Sequence, residues 1–162
     1  MEYTTVTHTF EPIFNAESRV LILGSLPSVK SRENQFYYGH PKNRFWTVLA
    51  TILKCDIPVT IEEKKAMLLA NHIAIWDVIA SCDIIGSSDS SIKNVTANDM
   101  SVILDHAPIE KIYANGAKAE ELYRKYCYPK TQITIERLPS TSPANASCKL
   151  QTLIEVWRKC VP

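Results

Sequence analysis

A chain of 162 residues, 46% hydrophobic and 22% charged, has the size and composition of one soluble globular domain spanning 1–162, long enough to bury a substantial core. Eighteen basic residues against seventeen acidic ones leave a net charge of +1. That charge argues neither for nor against nucleic acid: a protein that coats DNA along its length is usually more basic, whereas an enzyme visiting one nucleotide needs only a local patch. No apolar run approaches a membrane span, and the N-terminus lacks the basic start and apolar stretch of a signal peptide, so no membrane is expected and the expected compartment is the cytoplasm.

Residues before Arg19 read as a lead-in, because Pro12 and Asn15 limit regular structure. The apolar run 19–23 reads as a buried parallel strand. It is followed by 24–46, GSLPSVKSRENQFYYGHPKNRFW, a polar loop too long for a plain connection and, at Phe36, Tyr37 and Tyr38, too aromatic for disorder. Helical spacing of apolar residues predicts a helix over 43–54, and residues 56–60 break it. Thr60 and Glu63 form a capping box for a helix that runs to 71. The apolar run 73–79 predicts a second strand, ending near Trp76, and the Ser-, Asp- and Gly-rich segment 82–96 reads as a second long loop. Asn98 or Asp99 is placed to cap a helix through His106. A short strand over 111–115 stops at Asn-Gly and leads into a helix over 117–126. The stretch 132–138 alternates as a strand should, 139–143 is a third polar loop, and a helix over 146–159 closes the chain. Strands alternating with helices predict βαβ units, hence an α/β fold whose four-stranded parallel sheet is covered on both faces.

No GxGxxG, Walker A or GxSxG pattern is present, which removes the simplest dinucleotide, phosphate-loop and serine-hydrolase readings. The five cysteines are odd in number, widely spaced and free of any CxxC pair, and the four histidines form no HxxH or HExxH pattern. Reduced thiols are therefore expected, with no metal and no cofactor. The loop 24–46 is the candidate site, since ligands of open parallel sheets sit beyond the carboxyl ends of the strands. It carries a local basic patch, Lys30, Arg32, Lys42 and Arg44, with Glu33 the one acid among them. Gly24 suits a tight strand-to-loop turn, Ser25 supplies turn chemistry and Pro27 stiffens the turn. Tyr37 and Tyr38 either plug the top of the core or stack on a flat ligand. Asn43 either caps the following helix or uses its amide to orient a water or bond a base edge, and His40 is either a general acid or a loop-bracing donor. Phe45 and Trp46 are expected in the core.

The first motif, together with LPSTSPANA, IAIWDVI, the GSSDSSI loop and YANGAKA, resembles the uracil-DNA glycosylase superfamily over nearly the whole chain, and within it the hypoxanthine-DNA (deoxyinosine) glycosylases, its sixth family. The resemblance implies a three-layer αβα sandwich with a four-stranded parallel sheet, and an enzyme of DNA repair. Such an enzyme flips a damaged base out of double-stranded DNA and cuts its N-glycosidic bond. In mismatch-specific relatives the first motif is GINPG with a catalytic Asn; Leu26 stands at that position here. The resemblance moves the catalytic amide to Asn43 of HPKNRFW, with His40 beside it, and puts Tyr38 where an aromatic stacks on the flipped base. The surrounding base-binding turn is then Gly24, Ser25, Leu26, Pro27 and Ser28. The second motif, HPSPLS or NPSGLS in relatives, corresponds to Leu138, Pro139, Ser140, Thr141 and Ser142, and with Asn145 and Arg32 it is the expected DNA contact. Leu138 replaces a His or Asn, which disfavours ordinary uracil chemistry.

The expectation is thus a monomeric, monofunctional glycosylase that uses an Asn-positioned water on a deaminated base, hypoxanthine first, with uracil, xanthine and ethenoadenine still open. No lysine stands where a Schiff-base nucleophile is implied, and the cysteine spacing does not support the iron–sulfur cluster of some relatives. Three other readings compete: a uracil or mismatch-specific glycosylase, a non-catalytic nucleic-acid-binding module of the same fold, and a small-molecule hydrolase using Ser25 or Ser140.

Overall fold

Aliphatic runs with no polar alternation make strands that are buried on both faces, and such runs form the centre of the computed structural model, which describes residues 2–8, 10–86 and 88–162. The chain begins with β1 (Thr4–Thr7), β2 (Val20–Gly24), α1 (Val29–Asn34), α2 (Phe45–Leu53) and α3 (Ile61–Ala70). It continues through β3 (Ile73–Asp77), β4 (Ile79–Ile84), β5 (Lys93–Ala97) and α4 (Ser101–Leu104). The last third is β6 (Lys111–Asn115), α5 (Ala117–Tyr126), α6 (Tyr128–Thr131), β7 (Ile135–Leu138) and α7 (Leu150–Trp157).

The main sheet has four strands in the order β3-β2-β6-β7, and all neighbouring pairs are parallel. Every residue of β2 and β3 is buried. Because successive side chains point to opposite faces, both faces of the sheet must be covered. The cover is helical: α3 lies beside β3, α5 packs on β6 and β7, and α2 and α7 pack on each other. This is the expected αβα sandwich. The capping box of α3 is present, with the Glu63 N–H donating to Thr60 Oγ1 at 3.1 Å and the Thr60 N–H donating to Glu63 Oε1 at 2.9 Å. Among the described residues no helix is long and apolar enough to cross a membrane.

Four sequence expectations are corrected. The lead-in is not irregular, because β1 pairs antiparallel with β4 and Ile13 bridges to Ile75. The segment 82–96 is not one long loop: β4 runs to Ile84 and β5 starts at Lys93, giving a second, antiparallel sheet in the order β1-β4-β5. The polar residues here carry little strand propensity, and only pairing with the distant N-terminal segment makes them strands. The stretch 24–46 also holds a helix, α1, capped by Ser28, whose Oγ accepts from the Ser31 N–H at 3.2 Å. The closing helix is shorter than expected, Leu150–Trp157, flanked by single 3₁₀ turns.

Candidate active site

With β2 and β6 adjacent at the centre, the chain leaves β2 toward one side of the sheet and reaches β6 and β7 on the other, which makes their carboxyl ends the switch point. A cleft of about 750 Å³ opens there, within the usual range for ligand sites. Its walls are residues 24–28 after β2, Asp77 at the end of β3, 115–118 after β6 and 140–142 after β7. Arg32, Tyr38 and Asn43 complete the lining on the side of the first motif.

The floor is crowded at Gly24, where a Cβ would lie 2.4 Å from Asp77 Oδ1 and 3.1 Å from the Tyr38 hydroxyl. Only glycine fits that approach. Tyr38 holds a left-handed backbone, φ 51°, an uncommon conformation for an aromatic residue that recurs at functional sites. Its ring stacks on Phe45 at 4.0 Å between centroids. Its hydroxyl is buried and among the described residues makes no hydrogen bond of good geometry; burial, reinforced by the Asp77 carboxylate and opposed by the Asn115 side chain, holds its ionisation far above the ordinary tyrosine range. Tyr37 takes the other role left open by the sequence: it is 2% exposed and its hydroxyl donates to the Glu11 carbonyl at 2.6 Å.

Asn43 stands one residue before the N-cap of α2, Arg44, and its Oδ1 accepts the Phe45 N–H at 3.0 Å in an Asx-type turn rather than a helix cap. The same oxygen accepts the Thr141 hydroxyl at 2.8 Å, and the side chain lines the cleft. Thr141 in turn accepts from Asn115 Nδ2 at 3.0 Å and returns its backbone N–H to Asn115 Oδ1 at 3.0 Å. The two motif loops are stapled again by Arg44, whose N–H donates to the Thr141 carbonyl at 3.1 Å and whose guanidinium reaches the carbonyls of Asn145 and Cys148.

Several expected site residues have other positions. His40 is not among the lining residues, and its Nδ1 accepts the Lys42 N–H at 3.0 Å, so it braces the turn. Leu138 and Thr141 are both fully buried, Thr141 in the wall of the cleft. The Pro139 carbonyl accepts from Trp157 Nε1 at 2.9 Å, and Asn145 Nδ2 donates to the Ser140 carbonyl at 3.0 Å, so both shape the second loop. Ser140 Oγ accepts from the Ser142 N–H at 3.1 Å, and among the described residues no histidine bonds Ser25 or Ser140. Ser25, Leu26, Pro27, Ser28, Arg32, Ser140 and Ser142 all line the cleft, and Arg32 also donates to the Pro27 carbonyl at 3.3 Å.

Sequence reasoning missed Asp77 and Asn115 as site residues, although both end an apolar strand run with a polar residue, which is the usable signal. Asp77 is 3% exposed, and its Oδ2 bonds His8 Nε2 at 2.9 Å. Also missed is a mixed rim in which Lys118 pairs with Glu121 at 2.9 Å and Arg137 faces Glu120 at 3.9 Å. Gly116, φ 97°, opens the helix behind this rim and lies against Ser140, where a side chain would meet Ser140 Cβ at 3.1 Å. Burial raises the Asp89 carboxyl on the same rim, with Lys118 opposing the shift.

Fold and cleft define the class: an αβα protein with a polar and aromatic cleft beyond the carboxyl ends of its strands. The family model for the uracil DNA glycosylase superfamily matches residues 11–160. A protein of Methanosarcina barkeri named hypoxanthine DNA glycosylase is 35% identical over 69% of this chain and 72% of its own. One of the same name from Methanosarcina acetivorans is 37% identical over 84% of this chain and 86% of its own. A solution NMR structure from Methanosarcina acetivorans, named as a candidate uracil DNA glycosylase, superposes with a TM-score of 0.78 at 32% identity, over 93% of this chain and 96% of that one. The chain belongs to the uracil DNA glycosylase superfamily.

Proposed function

We propose that the protein is a monofunctional DNA glycosylase that removes a deaminated base, hypoxanthine first, from double-stranded DNA. The observation that carries this is a cleft pairing the Tyr38 ring with neutral amides, Asn43 among them, while Leu26 stands where mismatch-specific relatives keep a catalytic Asn. The two relatives named hypoxanthine DNA glycosylase support the choice of base.

Flipping a base costs a few kcal/mol, and least where pairing is poor, which itself favours deaminated bases. In the cleft the C1′–N9 bond breaks, its electron pair leaves on the purine, and the sugar becomes oxocarbenium-like. Water oxygen then bonds to C1′ and loses a proton to solvent, while the purine anion takes one up. Asn43 is neutral and deprotonates nothing; it acts by hydrogen bonding at the reacting centre. Backbone N–H groups over 24–28 are further candidates for stabilising the departing base. Lys118, which lines the cleft, is held by Glu121, whereas Schiff-base chemistry needs a free amine, so strand cleavage by a lyase step is not part of the reading.

The test is excision from end-labelled duplexes carrying one deoxyinosine or one deoxyuridine, developed with alkali. Cutting at inosine supports the proposal. Cutting at uracil alone replaces it with the uracil reading. Tight duplex binding with no cutting of either replaces it with a non-catalytic module.

A further inference from the structure

We infer that Thr141 is a positioning residue that locks the Asn43 amide with its NH2 group, not its oxygen, facing the cleft, so that Asn43 serves the reaction as a hydrogen-bond donor. What that donor meets rests on the glycosylase reading above. The polarity of the network follows from two backbone N–H groups, which can only donate. The Thr141 N–H fixes Asn115 Oδ1 as an acceptor, so the other Asn115 atom, Nδ2, must be the donor at 3.0 Å to Thr141 Oγ1. The Thr141 hydroxyl then has its one proton left to give, and gives it to Asn43 Oδ1 at 2.8 Å. Independently, the Phe45 N–H at 3.0 Å marks the same Asn43 atom as oxygen. An amide oxygen has two lone-pair positions, and both are now taken. Asn43 Nδ2 makes no hydrogen bond to any described residue and is not buried, so it is the group that the side chain offers to the cleft.

An oxygen pointed into the cleft would repel a base leaving as an anion. A preorganised N–H gains strength as that charge grows, which is the pattern of transition-state stabilisation. Thr141 is fully buried, so it acts on the reaction through Asn43 rather than by touching DNA. Its place between Asn115 at the end of β6 and Asn43 before α2 ties the amide to the rigid sheet.

The experiment compares wild type, Thr141→Val, Thr141→Ser and Asn43→Asp for single-turnover excision of hypoxanthine and duplex affinity, and the three proteins that keep Asn43 for its side-chain NH2 resonances. Valine keeps the shape and loses the hydroxyl, so its excision rate is expected to fall by about tenfold to a hundredfold, less than the roughly hundredfold to thousandfold of removing a positioned donor outright, with affinity nearly unchanged. Serine is expected to restore most of the rate, and the Asn43 NH2 signals should shift in the valine variant but not in the serine one. Asn43→Asp keeps an acceptor and loses the donor, and is expected to be slower than wild type by about a hundredfold or more. Wild-type rates in Thr141→Val or Asn43→Asp would overturn the inference, as would a valine loss confined to affinity. If wild type itself cuts nothing, the glycosylase reading fails, and unshifted NH2 signals in Thr141→Val would separately overturn the orientation.

Discussion

His8 comes from a segment that reads as an irregular lead-in, yet its ring bonds Asp77, a residue of the cleft wall. The side chains of His8 and Asp77 are 2% and 4% exposed and meet at 2.9 Å, and the His8 ring packs on Phe10 at 4.5 Å between centroids. Replacing His8 with Ala removes the partner and leaves the carboxylate behind. A hydrogen bond to a charged group contributes about 1.5–3 kcal/mol, and orphaning a fully buried charge costs about 3–5 kcal/mol. Asp77 lines an open cleft, so water can partly replace the imidazole, and the lower range applies. The expected loss in urea unfolding is about 1.5–3 kcal/mol, equivalent to a melting temperature lower by roughly 3–12 °C in a chain of this size. Asp77→Asn, alone and combined with His8→Ala, closes a double-mutant cycle, in which the coupling should exceed about 1 kcal/mol. A loss under about 0.5 kcal/mol, or strict additivity in the cycle, would refute the reasoning.

Gly24→Ala puts a methyl 2.4 Å from Asp77 Oδ1, an atom tethered through the same carboxylate to His8, so it should lower stability by about 1–3 kcal/mol and lose most of that penalty in an Asp77→Ala background, measured by urea unfolding. Tyr38→Phe removes a buried hydroxyl that makes no hydrogen bond of good geometry among the described residues, so it should leave stability unchanged or raised, whereas Tyr38→Ala should weaken binding to a duplex carrying the damaged base by about 1–3 kcal/mol through lost stacking; fluorescence anisotropy and thermal melts read both. Burial pushes the Cys127 thiol up to about 11 and the Cys160 thiol up to about 12, so both stay protonated at pH 8 and gain reactivity only as pH rises toward those values. Iodoacetamide labelling at pH 8, read by mass spectrometry, should therefore mark the exposed Cys55 and the half-buried Cys148 first. Early labelling of Cys160 would contradict the packing around α7.

The parallel core was legible because its signal is local. The runs 19–23, 73–79 and 111–115 are apolar without alternation, and polar loops punctuate them. The small sheet was not legible, since β1 and β4 lie far apart in sequence and their pairing depends on a register that neither strand carries alone. At the site, Tyr38 and Asn43 stood out by residue type and loop position, and the family resemblance chose between the roles that each type permits. Thr141 was assigned to DNA contact by matching the second motif to that of relatives; residue type alone does not reveal the network that buries its side chain between Asn115 and Asn43. His40 illustrates the opposite limit: a histidine in a functional loop can simply brace it, and only the geometry at Lys42 decides.

The central claim is that Asn43 serves hydrolysis of a purine glycosidic bond in this cleft. Single-turnover excision of hypoxanthine from a deoxyinosine duplex, measured for wild type and Asn43→Ala with duplex affinity determined in parallel, tests it most directly. The account predicts cutting by wild type and a loss of rate of about a hundredfold or more in the variant, with affinity held. Equal rates in the two proteins, or a loss carried wholly by affinity, would contradict it.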